Sequence, residues 1–268
     1  MENETPAQSF KSHYKVIAPL LMGEGVGDGL TTACIMAQAV TIDHLRKGLT
    51  LDKPTDEMEC ACRVLRKIAI KLNDGKWWES NEERTEYLRP LIPLLLDSKQ
   101  SKETTLKRIY YMANQSVKFL TPMRLRWRAA HCEDEKIKKM YEDGAASVEA
   151  LTDLSDRDSC IAASKVCQKL QADANSVSYA DADAVVAAAS DPDSYAYAHA
   201  ATVADSAIHA ASASASYAAA ATAAAAATAA YAYAASASQK IKYRDALIES
   251  FKECAKIVDV KSLKYAET

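Results

Sequence analysis

Apolar residues recur along this chain at intervals of three and four, the repeat of a helix face, between punctuating glycines and prolines. The stretch LTTACIMAQAVTIDHLRKG, starting at Leu30, is apolar nearly all round, carries Arg46 and Lys47 in its last turn and stops at Gly48. That pattern predicts a buried central helix. In TDEMECACRVLRKIAIKLNDG, Met58, Cys62, Leu65, Ala69 and Leu72 alternate by four and three, with Asp56 and Glu59 as a capping-box variant and Gly75 beyond the end. Ser80 and Glu83 write a second start, and Pro90 and Pro93 break the apolar run after it. Leu106, Ile109, Tyr110, Ala113, Val117 and Leu120 share a face ahead of Pro122, and the charged stretch EDEKIKKMYEDG is expected to end at Gly144. Cys160, Ala163, Cys167, Leu170 and Ala174 make another stripe, and Arg244, Leu247, Phe251, Cys254 and Val258 line a final helix from about Lys240. The fold class is therefore all-α: a mixed-composition helical bundle over residues 1–150, with an alanine-rich helical region over 151–268 packed on it, or both in one domain.

Ser206 to Gln239 breaks this pattern, because it contains no charged residue, glycine or proline and is more than half alanine. It is long enough to span a bilayer, but one Ile among Ala, Ser, Thr, Tyr and His gives weak insertion, and no Lys or Arg flanks its start. The alternations ASASAS and AYAYA have strand period, yet the alanine runs between them destroy any two-sided pattern, and alanine favours helix. Thr202, Thr222 and Thr228 lack the regular one-face spacing of an ice-binding helix. What remains is a helix of methyl-sized spacers buried against its neighbours, with Tyr217 and Tyr231 as larger pegs on one stripe. The turn SDPDS, Ser190 to Ser194, precedes it.

Charge sharpens the picture. Between Lys169 and Lys240 the chain has six Asp and no Lys, Arg or Glu, so this interval holds −6 and the rest of the net −3 chain holds +3. The alanine region thus has nothing to neutralise phosphates, which excludes nucleic-acid binding there. The acidic start MENETPAQSF has the wrong chemistry for a secretory signal, and seven scattered cysteines fit a reducing compartment; both point to the cytoplasm.

The candidate chemistry is sparse. GEGVGDG, from Gly23 to Gly29, invites a phosphate-loop reading, but it has no Gly-Lys-Ser/Thr and no preceding strand, and Glu24 and Asp28 would repel a phosphate. A turn with Asp28 near the next helix's N-terminus is the simpler expectation. Cys60 and Cys62 are two apart and diverge on a helix, and His131, Cys132, Cys160 and Cys167 lack finger or ribbon spacing, so no metal and no cofactor are expected. His199 and His209 have no nucleophile beside them. Trp77 and Trp78, adjacent at a loop-to-helix junction, are either core or the anchor for a protein partner.

Two resemblances follow from these residues. Gly23, Gly27, Asp28 and Leu30 resemble the G-x-x-x-G-D element of the all-α ADP-ribosyl-glycohydrolases, which implies a hydrolase of nucleotide-linked substrates using Glu24 and Asp28. That family's Thr-Asp-Asp metal clusters have no match, LTDLSD being the nearest stretch. The Ala/Tyr/Ser tract from Tyr195 to Ser238, followed by SQKIKYRDALIESFKECAKI, resembles the alanine-rich immunity proteins of bacterial polymorphic-toxin systems, whose relatives also occur in phage genomes; RLRWRAAHCEDEKIKKM is a looser echo. This resemblance implies a non-enzymatic, all-helical protein that occludes or sequesters a toxin or defence effector. Self-assembly through the alanine face, giving homo-oligomers, is the remaining alternative.

Overall fold

The computed structural model describes residues 5–50, 53–178 and 237–258, and among them it forms helices and no strand. The alanine helix over 206–236, its tyrosine pegs, the turn at 190–194, His199 and His209 lie outside the described residues. The chain divides into two compact units, Met1–Thr105 with Leu247–Thr268, and Leu106–Ala246.

In the first unit, α1 (Pro6–Ile17) opens with a capping box in which Thr5 accepts from the backbone of Gln8 and the Gln8 side chain accepts in return. Its trailing carbonyls are held by Arg89, which donates to Ala18 at 3.3 Å and to Leu20, and whose guanidinium lies 5.8 Å from the Tyr14 ring centre. Helix α2 (Ile35–Arg46) is the expected central helix: Ile35, Met36, Ala37, Ala39, Val40 and Ile42 are all buried. It ends in a Schellman turn, with Leu49 N–H on the His44 carbonyl, Gly48 N–H on that of Leu45, and Gly48 at φ 69°.

Helix α3 (Arg63–Asp74) buries Leu65, Ala69 and Leu72 as their spacing predicts, but it starts later than Asp56 and Glu59 suggest. Asp56 pairs with Arg66 at 3.2 Å instead of capping a helix. The Cys60 carbonyl accepts from Lys99 N–H, and Cys62 N–H donates to the Ser98 hydroxyl, so the segment is spent on the turn at 98–99. Met58 and Cys62 are buried without being helical. Helix α4 (Asn81–Leu88) begins at Ser80, whose hydroxyl accepts from Glu83 N–H, and Pro90 and Pro93 turn the continuation into a 3-10 helix, Arg89–Leu94.

The second unit contains two departures from the sequence pattern. Helix α5 (Lys102–Asn114) does not stop before Pro122: a π-helical segment, Gln115–Leu120, carries it into α6 (Thr121–Ala130). Proline removes one donor and crowds the carbonyl four residues back, and the wider turn absorbs that clash, with the Thr121 hydroxyl donating to Ser116. Helix α7 (Glu135–Glu149), capped by Asp134, runs straight through Gly144. Tyr141, Ala145 and Val148 continue one buried stripe past the glycine, and burial of that stripe outweighs a glycine cost of about 1 kcal/mol. Leu125 and Ala129 of α6 meet Tyr141 and Ala145, and Leu170 of α8 (Arg157–Ser178) packs against this cluster with Ile137 and Met140. Helix α9 (Ala237–Lys256), whose residues from Leu247 onward belong to the first unit, buries Arg244, Leu247, Phe251 and Cys254, as its spacing predicts, and ends before Val258.

Truncating a fully buried leucine leaves a cavity. Leu65→Ala is expected to lower unfolding free energy by about 3 kcal/mol in urea titration, whereas Leu30→Ala at an exposed site stays within about 0.5 kcal/mol.

Candidate functional site

The chain between α1 and α2 is an Ω-shaped loop, closed where Leu21 N–H meets the Thr31 carbonyl and Ala33 N–H meets that of Leu21, both at 2.9 Å. Its stem is fastened by side chains from elsewhere. Asn73 donates to the Gly23 carbonyl at 2.7 Å and accepts from Ile35 N–H, the Thr85 hydroxyl accepts from Met22 N–H at 2.7 Å, and Asp74 accepts from Gly25 N–H. Arg84, 6% exposed, donates to the Met22 carbonyl. Glu24 pairs with Lys76 at 2.5 Å and lies 3.8 Å from Arg84; the Lys76 bond holds its carboxyl below the ordinary range.

The tip is braced mainly by the Asp28 carboxylate, beside a backbone bond from Gly29 N–H to the Thr32 carbonyl at 2.9 Å. One carboxylate oxygen accepts from the N–H groups of Leu30, Thr31 and Thr32 at 2.8–2.9 Å, and the other accepts from the Thr31 hydroxyl at 2.6 Å. These bonds, the Thr31 hydroxyl foremost, hold the Asp28 carboxyl far below the usual carboxylate range. Asp28 therefore caps its own loop and not the N-terminus of α2, where the Cys34 sulfur accepts from Ala37 N–H. Gly27 and Gly29 are required here: both have positive φ, and a Cβ would lie 2.3 Å from the Thr32 carbonyl oxygen at the first and 2.5 Å from Pro54 at the second. Between these constraints Leu30 stands 83% exposed.

Glu24 and Asp28 thus belong to one loop but serve different bonds. Trp77 is 3% exposed and has no ring face to offer a partner. Its indole N–H and that of the half-buried Trp78 converge on the Leu72 carbonyl at 3.1 and 2.8 Å, closing the end of α3, and Trp78 tilts against Tyr87. Gly75 is needed for space, since a Cβ there would lie 2.1 Å from the Trp77 ring.

A second cluster has no counterpart in the sequence expectations. Asp43, Cys60 and Asp97 bring potential metal-ligand atoms within 4.8 Å of one another. Arg46 lies among them, bidentate to Asp97 at 2.5 and 2.6 Å and bonded to Asp43 at 2.6 and 2.9 Å, while Lys47 holds the other Asp43 oxygen at 2.7 Å. Burial pushes the Cys60 thiol up, with the Asp43 and Asp97 charges adding to it. Guanidinium and ammonium balance the two carboxylates. Asp97 accepts φ 52°, rare outside glycine, to reach Arg46. The spacing of Asp43 to Arg46 and Lys47 on a helix apolar nearly all round was the available signal. Of the other sulfur and imidazole candidates, His131 stacks on Trp127 at 4.5 Å, the Cys132 thiol lies 3.6 Å from the Asp134 carbonyl, and burial pushes the Cys160 thiol up to about 12.

The chain matches no protein-family model, no curated protein and no solved structure. Among the described residues no helix is long and apolar enough to cross a membrane.

Burial raises the Asp43 pKa, but the bonds from Lys47 and Arg46 outweigh it and leave the carboxyl lowered. A lowered folded pKa means stability that is full above the unfolded value of about 4 and is lost as pH falls through the folded value. Arg46→Met is expected to lower unfolding free energy by about 2 kcal/mol at neutral pH and to move the acid limb of a pH–stability curve to higher pH.

Proposed function

We propose that the protein is a non-enzymatic binding protein of the immunity or counter-defence kind, which occludes or sequesters a protein partner, and that the loop Gly23–Thr32 presents Leu30 as its anchor. One observation carries the reading: Gly27 to Thr31 is exposed throughout, yet it is fixed by the Asp28 bonds. Bracing that buries nothing adds little to the core, so its use is display. An isolated exposed leucine is ordinary on a protein surface, but one at the tip of a pre-ordered loop is positioned to enter a partner's apolar pocket without first freezing the chain. The hydrolase reading needs a carboxylate free to accept a proton, and that of Asp28 is committed to Leu30, Thr31 and Thr32.

Affinity capture from the host with wild type and Leu30→Asp tests this. The expected result is a stoichiometric toxin or effector retained by wild type and weakened about a hundredfold by the variant, as for loss of a buried anchor, with thermal unfolding unchanged. No stoichiometric partner, or equal retention by both forms, overturns it. Loss of turnover of an ADP-ribosylated substrate in Asp28→Ala would restore the hydrolase reading.

A further inference from the structure

Helices α7 and α8 leave an open groove of about 800 Å³ between them, floored by Met140, Val166 and Leu170 and edged by Lys136, Lys139 and Lys169. Lys139 is engaged by Asp143, which also lines the groove, at 3.2 Å. Lys136 and Lys169 make no ion pair among the described residues, so three lysines against one aspartate leave the rim at +2. On α7 the lining recurs at 136, 139, 140, 143, 144 and 147, one stripe over about three turns or roughly 16 Å, which is longer than a small metabolite needs and matches a helix laid alongside. Gly144, itself buried, falls within this stripe. Methionine adapts to varied apolar partners, and lysine stems extend an apolar floor while keeping their ammonium groups in water.

We propose that this groove docks an acidic amphipathic helix of a partner protein, its apolar stripe on Met140, Val166 and Leu170 and its carboxylates against Lys136 and Lys169. The choice of occupant rests on charge: a basic helix would meet a rim of its own sign. The groove shares no residue with the Leu30 loop, and the proposal stands without the reading given for that loop.

The test uses the full chain and a synthetic helix-forming peptide of about 18 residues, or five turns, with leucines at i, i+3, i+4 and i+7 and glutamates on the flanks, read by fluorescence anisotropy. Wild type binds it, and a copy with lysine for glutamate does not bind. The double variant Lys136→Glu/Lys169→Glu, altered only at exposed positions, loses about tenfold in affinity, as for two solvent-exposed ion pairs, with unchanged thermal unfolding. Met140→Asp also weakens binding, and Leu30→Asp leaves it unaltered, which separates failure here from failure of the loop. Absence of acidic-peptide binding, or binding indifferent to Lys136 and Lys169, overturns the proposal. So does carbodiimide cross-linking of either lysine to an aspartate between Asp181 and Asp205 or to a second copy, or displacement of the peptide by anionic phospholipid vesicles.

Discussion

The first unit depends on one requirement: the irregular run from Ala18 to Cys34 must have its backbone polar groups bonded, although the end of α1 and the run's own few backbone bonds reach only part of them. Asn73 and Thr85, buried at the end of α3 and in α4, reach Gly23, Ile35 and Met22, while Arg84 and Arg89 take the carbonyls of Met22, Ala18 and Leu20. Each of these polar side chains would be unfavourable in a core by itself. Together they replace a missing ladder, and they fix the corner between α3 and α4 against the loop. Truncating Asn73 would strand a buried N–H and a carbonyl at once, which makes these side chains as structural as Leu65 or Leu72.

What could be read from the sequence follows from how far each signal reaches. Features decided within one or two turns were legible: the Schellman end at Gly48, the Ser80 start, and the buried faces of α2, α3 and α9. Features decided by distant partners were not. Asp56 has the look of a cap but is taken by Arg66, and Gly144 and Pro122 look like stops but lie inside helical runs because the faces beyond them are buried. At the loop, the sequence suggested a turn with Asp28 near the start of α2, but not which groups its two acids would bond. Both carboxylates are consumed internally, one by Lys76 from more than fifty residues away and one by its own Thr31 and Thr32. The alanine tract, the most unusual stretch of the sequence, is not among the described residues at 206–236, so its close-packed helix remains an expectation.

The two groups of charged side chains show opposite strategies. Around Arg46 every charge has a partner, two carboxylates against two cations, so these four side chains sum to neutral. At the α7–α8 groove Lys136 and Lys169 are left over beside an apolar floor. Neutralised clusters hold elements together, whereas uncompensated charge next to exposed apolar surface steers and orients a partner.

Bracing the loop decides whether a single leucine can contribute to binding at all. Burying its side chain is worth about 2 kcal/mol. Freezing a floppy turn of five residues, Asp28 to Thr32, would cost about 5 kcal/mol at roughly 1 kcal/mol each, more than the leucine returns. With that ordering already done by the Asp28 carboxylate, Gly27 and Gly29 before any partner arrives, the sign of the balance changes. On the proposed reading, the Asp28 carboxylate is what lets an exposed side chain two residues away serve as an anchor.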